Sequence, residues 1–370
     1  MPQNIKNMNS RILIVAGGTG GHIYPAIAVA EAIRERNYEV IFVTRNNPGD
    51  IEIIKRTGIK YFLLPTSNFM APGIRKKIIS VFNMACSIFV FLKILWTVNP
   101  QFLIASGCYV SVIPLVWAVI LKKQFYLLEQ NAIPGRVVRY FSRHAREIFL
   151  GFPLFYPIKG KAFYSGNPLR KSIVMAAQKF NLEKKNFSNP TILILGGSQG
   201  AYFLNLIGLS LASLFSQLRF IIVTGKQHYS STRNQVKTTN CDIIEYTYHP
   251  EKLYEKASIV ITRAGAMVLS EILAFGLPAI IIPYPFAANN HQKANAQYIV
   301  QNKAGVILEQ CTSNELSQFI NTLKNILIDL LSDKNKLLAL SKNALKLAKL
   351  DAADVIARRT TKPQNIYLNL

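Results

Sequence analysis

Two stretches decide the architecture of this chain: "ILIVAGGTGGH", residues 12–22, and "ILILGGSQGA", residues 192–201. Each opens with four apolar, β-prone residues and runs into Gly-Gly-Thr/Ser-x-Gly. Each then passes into a stretch of helical character. A short apolar run that ends in glycines reads as a buried strand, and parallel strands need a crossover between them, usually a helix. Strand, glycine loop and helix thus occur twice, about half a chain apart. The economical fold is α/β, with two Rossmann-like domains that each open on their own loop and face a cleft.

Outward from these anchors, the pattern repeats. "EVIFVT" (39–44), "FLIAS" (102–106) and "FYLLEQ" (125–130) read as further buried strands of the first domain. "FIIVTG" (220–225), "IVIT" (259–262) and "AIIIPYP" (279–285) play that part in the second. Gly and Pro cluster in "SGNPLR", 165–170, which places the join there and gives domains 1–166 and 167–345.

A length of 370 residues, half of them hydrophobic, suits two folded domains and excludes a disordered chain. The net charge of +24 is spread along both halves and suits an anionic partner: nucleic acid, an acidic membrane surface or a phosphorylated substrate. Cys86, Cys108, Cys241 and Cys311 form no CxxC pair and have no His at metal-ligand spacing, so a reducing compartment is expected. The first apolar run, Ile12 to Ala16, is too short for a signal peptide. In "IISVFNMACSIFVFLKILW" (78–96), Ser80, Asn83 and Ser87 continue a helical polar stripe from Lys76, and Lys93 interrupts the far end. That pattern fits a helix half-buried in a core or lying in a lipid interface better than a membrane span.

Bare glycine loops let a phosphate approach the unpaired N–H groups and positive end of a helix. The first loop does not suit a dinucleotide: after Gly18 and Gly20 the third position of G-x-G-x-x-G is Ile23. "VTRNN" (43–47) has no acid for a ribose diol, and no GK[ST] follows for a triphosphate. His22 falls directly behind the loop, where an imidazole can accept a proton near neutral pH. In "TRAGAMVLSEILAFGLPAIIIPYPFAANNHQKANA" (262–296), the turn after "RAGA" leads into a helix carrying Ser270 and Glu271, and Glu271 can accept two ribose hydroxyls.

The ordered set "GGTGGHIYPAIAVA", "LEQN", "GNPLR", "GGSQGA", "AGAMVLSEI" and "NNHQKANA" resembles the MurG family over nearly the whole chain. The family's members are inverting transferases of the GT-B architecture. They move N-acetylglucosamine from UDP-N-acetylglucosamine to an undecaprenyl-diphosphate-linked muramyl-pentapeptide in peptidoglycan synthesis. The resemblance implies that Thr19, Gly20 and Gly21 meet the donor sugar and diphosphate, and that Asn131 contacts the donor. It implies that Arg170 and Ser198 hold the diphosphate and that the Thr247 backbone holds the uracil. Ala266, Met267, Val268, Leu269, Ser270 and Glu271 would form the nucleotide-binding turn, and Gln292 would read the sugar hydroxyls. His22 is the first choice of catalytic base and Glu129 the reserve. Residues 346–370 would return as a helix onto the first domain, as in relatives. Three departures stand out: Leu128 replaces the histidine of HEQN, Cys108 replaces a glycine, and Tyr248-His249 replaces Asp-Met.

No Asp-x-Asp metal site is present, so no metal or other cofactor is expected for the chemistry. The implied acceptor is embedded in the inner face of the plasma membrane, with no role for nucleic acid. Ile74, Ile78 and Phe82 share a helical face beside Arg75, Lys76 and Lys77, which suits peripheral binding to anionic headgroups. Rival readings are another lipid glycosyltransferase such as one acting on diacylglycerol, a UDP-N-acetylglucosamine epimerase, and a non-catalytic scaffold of the same fold.

Overall fold

The computed structural model describes residues 10–66, 74–184, 189–197 and 199–361. The chain divides into two units. One comprises Met1–Gln130, Pro134–Arg170 and Asp351–Leu370; the other comprises Asn131–Ile133 and Lys171–Leu350.

The first unit is built on a seven-stranded parallel sheet. Its strands are β1 (Arg11–Val15), β2 (Glu39–Arg45), β3 (Lys60–Leu64), β4 (Phe102–Ser106), β5 (Phe125–Glu129), β6 (Glu147–Leu150) and β7 (Ala162–Tyr164). Helices α1 (Gly20–Arg34), α2 (Pro48–Lys55), α3 (Ile74–Val98), α4 (Val112–Ile120) and α5 (Arg136–Phe141) lie between them. The spatial order is β3-β2-β1-β4-β5-β6-β7. Side chains alternate across a strand, so an uninterrupted apolar run such as "ILIV" feeds two cores at once. Leu13, Val15, Ile41, Val43 and Leu103 enter the core on one face. Ile12, Ile14, Val40, Phe42 and Ile104 enter the core on the other. A last helix, α14 (Ala352–Thr360), buries Ile356 and Ala357 in the second of these cores. It is fastened by Arg359, which pairs with Glu147 and stacks on Phe163, 4.1 Å from the ring centre.

The second unit has strands β8 (Thr191–Leu195), β9 (Arg219–Val223), β10 (Cys241–Ile244), β11 (Ile259–Thr262), β12 (Ala279–Ile281) and β13 (Val306–Ile307). Its helices are α6 (Lys171–Lys179), α7 (Tyr202–Leu214), α8 (Tyr229–Arg233), α9 (Glu251–Lys256), α10 (Ala266–Phe275), α11 (His291–Gln301), α12 (Leu316–Ser332) and α13 (Lys334–Leu347). The order β10-β9-β8-β11-β12-β13 repeats that of the first sheet, again parallel throughout. The strand expected over 279–285 stops at Ile281: Ile282 N still bonds to Thr262 O, but Pro283 has no N–H to continue the ladder. In each sheet the order reverses beside the first strand, between β1 and β4 and between β8 and β11. Ligands of doubly wound sheets bind beyond the strand ends at such points, and both glycine loops lie there.

Candidate active site

In the first unit, Thr19 is the N-cap of α1, with extended backbone. His22 N and Ile23 N both donate to Thr19 O, at 3.0 and 3.2 Å. The helix itself therefore has no acceptor for the amides of Gly20 and Gly21. Gly18 takes φ +100°, a conformation that favours glycine. Its N–H donates to Asp50 Oδ2 at 2.8 Å, and Arg45 Nη2 donates to Gly18 O at 3.0 Å. Arg45 also grips both Asp50 oxygens, at 2.8 and 3.2 Å, and reaches the Tyr109 hydroxyl at 2.8 Å. Burial works against the Arg45 charge, but hydrogen bonds to Asp50 and Tyr109 outweigh it and hold its pKa above the ordinary arginine value. Burial raises the Tyr109 phenol, an effect the Arg45 contact partly offsets. The acid absent from the end of β2 thus lies five residues further on, where it shapes the loop.

His22 sits in the first turn of α1, half-buried, with Nδ1 3.1 Å from Gln130 Oε1. Glu129 ends β5 and is only 3% exposed; its Oε2 accepts the Gly135 N–H at 2.7 Å. Leu128 points to the opposite face and is core. Cys108 is buried between Ser106 Oγ and Ser111 Oγ, each 3.5 Å from its sulfur. The Arg170 guanidinium stacks on Tyr24 of α1, 4.3 Å from the ring centre.

In the second unit, Ser198 lies outside the described residues. Gly200, beside it, has φ +78°, and a Cβ there would stand 2.0 Å from Thr224 O. Gly265 caps α10, and within that helix Ala266, Met267, Leu269 and Glu271 are buried. Leu269 is a core side chain, 1% exposed, so the backbone of this turn is what it can offer a ligand. Glu271 accepts the Tyr254 hydroxyl at 2.7 Å. Gln292 Oε1 accepts both Ala264 N, at 3.2 Å, and Tyr284 N, at 3.0 Å, which leaves its amide nitrogen as the end able to donate elsewhere. Asn131 Oδ1 accepts from Asn295 Nδ2 at 3.0 Å, and Asn295 Oδ1 accepts Ala132 N at 2.9 Å. Thr247 Oγ1 accepts His249 N at 3.0 Å, and the His249 ring meets Glu251 at 3.0 Å.

Arg263 is a determinant that sequence reasoning passed over. It is 6% exposed, donates to Ile282 O, Pro283 O and Gln310 Oε1, and so clamps the turn before α10. Burial pulls its pKa down to about 10, still protonated at neutral pH. Among the described residues, no three His, Cys, Asp or Glu side chains gather as a metal-ligand set.

Helix α3 settles which of its faces is buried. Of the polar stripe, Asn83 is half-buried and Ser87 fully buried, donating to Pro65 O at 3.2 Å and Asn83 O at 2.9 Å. The exposed face is apolar instead, with Phe82, Phe89 and Trp96 at 67%, 74% and 77% exposure, seven residues apart. Of the residues expected to meet a membrane, Phe82 is on this face. The side chains of Ile74, Arg75, Lys76, Lys77 and Ile78 lie outside the described residues. By length and composition, Val81–Val98 is the one segment of the described residues apolar enough to cross a membrane.

Residues 12–150 match the glycosyltransferase family 28 N-terminal domain, and residues 191–359 match its C-terminal domain. The chain is similar to a UDP-N-acetylglucosamine–N-acetylmuramyl-(pentapeptide) pyrophosphoryl-undecaprenol N-acetylglucosamine transferase of Leptospira interrogans. They are 35% identical, over 94% of this chain and 98% of the relative. The enzyme of the same name from Methylococcus capsulatus is 31% identical, over 95% and 98%. The crystal structure of Acinetobacter baumannii MurG superposes with a TM-score of 0.75 at 24% identity, covering 95% of this chain and 99% of that one. This likeness shows the GT-B fold. Two Rossmann-like units with a glycine loop at each switch point, and full-length identity at this level, lead to one assignment: the chain belongs to the MurG family of N-acetylglucosamine transferases.

Proposed function

We propose that this chain transfers N-acetylglucosamine from UDP-N-acetylglucosamine to the 4-hydroxyl of the muramyl sugar on undecaprenyl-diphosphate-muramyl-pentapeptide. The carrying observation is His22 in the first turn of α1, directly behind the amides of Gly20 and Gly21. The donor sugar is α-linked, so inversion requires attack from the face opposite UDP. The acceptor oxygen bonds to the anomeric carbon as its proton passes to His22. The bond from that carbon to the β-phosphate oxygen breaks, and UDP leaves with the electron pair. A positioned base contributes on the order of 10²- to 10⁴-fold to such a step. Glu129 is the second candidate, but its burial and its bond to Gly135 favour a supporting role.

Charge on the departing diphosphate is met by the amides of Gly20 and Gly21, with Thr19 at the cap, and by Arg170 and Ser198. The positive end of a helix serves this purpose without a cation. Asn131 and Gln292 serve the donor sugar, the Thr247 backbone the uracil, and Glu271 the ribose at the turn formed by Ala266, Met267, Val268, Leu269 and Ser270. No metal or organic cofactor takes part, so a chelator should leave turnover unchanged. Abolished turnover on removing magnesium would count against this.

The exposed apolar face of α3 and, earlier in the sequence, the basic run Arg75, Lys76 and Lys77 between Ile74 and Ile78 support peripheral binding to the cytoplasmic, anionic face of the plasma membrane. The assay is direct: purified protein, radiolabelled UDP-N-acetylglucosamine and the lipid acceptor in detergent should give a labelled disaccharide lipid. Donor binding without product would point to another acceptor, and labelled diacylglycerol would favour the rival lipid transferase.

A further inference from the structure

We infer that Gln130 is a positioning residue that fixes the tautomer of His22, an inference that rests on His22 being the base. Gln130 is 3% exposed, and its Oε1 lies 3.1 Å from His22 Nδ1. A carboxamide oxygen has no proton to give. It therefore holds the neutral ring with hydrogen on Nδ1 and the lone pair on Nε2, the nitrogen that takes the acceptor's proton in this scheme. Gln130 is itself held from behind. Asn167 Nδ2 donates to Gln130 O at 3.1 Å, and Asn167 is 3% exposed. Gly151 leaves the room: a Cβ there would stand 2.0 Å from Asn167 Oδ1.

Gln130 Nε2 is buried with no hydrogen-bond partner among the described residues. Such a group is costly, and an apolar side chain of the same length would fill the space without the cost. The position is thus occupied for what its oxygen does at the imidazole. A neutral amide also orients the ring without the strong upward pull on its pKa that a carboxylate exerts. The charged neighbours to reckon with are Glu129, next in sequence, and Arg170, stacked on Tyr24 in the same helix as His22.

The test combines 15N NMR of the His22 ring with kinetics of Gln130→Met and Gln130→Glu. Wild-type protein should show the neutral ring protonated on Nδ1. Gln130→Met should lose that preference and lower kcat by on the order of 10- to 100-fold, with KM for UDP-N-acetylglucosamine little changed. Gln130→Glu should keep the tautomer but move the acid limb of kcat to higher pH, because a carboxylate favours the imidazolium. Wild-type His22 protonated on Nε2, or Gln130→Met turning over like wild type, would overturn the inference. His22→Ala separates the two ideas: full activity there removes the base assignment itself. An inactive His22→Ala beside unaffected Gln130 variants removes only the role of Gln130. Unchanged thermal midpoints and UDP affinity would show that the variants are folded.

Discussion

Asp50 ties the first glycine loop to the strand beside it. It accepts the Gly18 amide and both arms of Arg45 while only 4% exposed. Asp50→Ala leaves a half-buried guanidinium without its counter-charge and should cost on the order of 2–4 kcal/mol, read from denaturant midpoints. The loss of loop shape should also lower kcat/KM at least about tenfold, because misplacing a binding loop weakens transition-state contacts. Gly200→Ala should cost more than about 1 kcal/mol, since it combines a positive φ with a clash against Thr224 O. The glycines and His22 were legible in the sequence because loop, cap and imidazole are neighbours along the chain. The braces were not. Asn167 on the Gln130 carbonyl and Arg263 on Gln310 join residues far apart along the chain, and Arg45–Asp50 forms only once the chain turns from β2 into α2; no local pattern marks them.

Helix α3 shows the same limit at the scale of an element. Helical spacing revealed an amphipathic segment, but it did not say which face the core would take. The sheet needs Phe91, Ile94, Leu95 and Val98 in its core, and Ser87 can be buried beside them because it bonds to Pro65 O and Asn83 O. The remaining arc, Phe82, Phe89 and Trp96, then faces outward. A Phe89→Glu, Trp96→Glu double variant should bind anionic vesicles at least about tenfold more weakly, because exposed aromatics and basic charge act together at lipid interfaces. Turnover of a detergent-dispersed acceptor should be unchanged. Flotation that matches wild type would remove this face from the membrane assignment. Helix α14 gives a stability counterpart: Ile356→Ala, at a fully buried site, should cost about 2–5 kcal/mol by thermal or denaturant unfolding.

For the whole molecule, the repeated strand order follows from the repeated strand-loop-helix motif, and this is why two short quotations from the sequence forecast both units. The short strands β7 and β13 were not legible, since three and two residues carry no periodicity. The net charge of +24 acts at this scale as well. Exposed charges are screened within about 10 Å at 0.1 M salt, so added salt should weaken vesicle binding more than it weakens binding of UDP. The transfer chemistry depends most on His22. The most direct measurement is single-turnover transfer by His22→Ala beside wild type, with UDP affinity measured on both proteins. The account predicts a loss of on the order of 10²- to 10⁴-fold in the chemical step with UDP affinity retained. Transfer at the wild-type rate by the variant would contradict it.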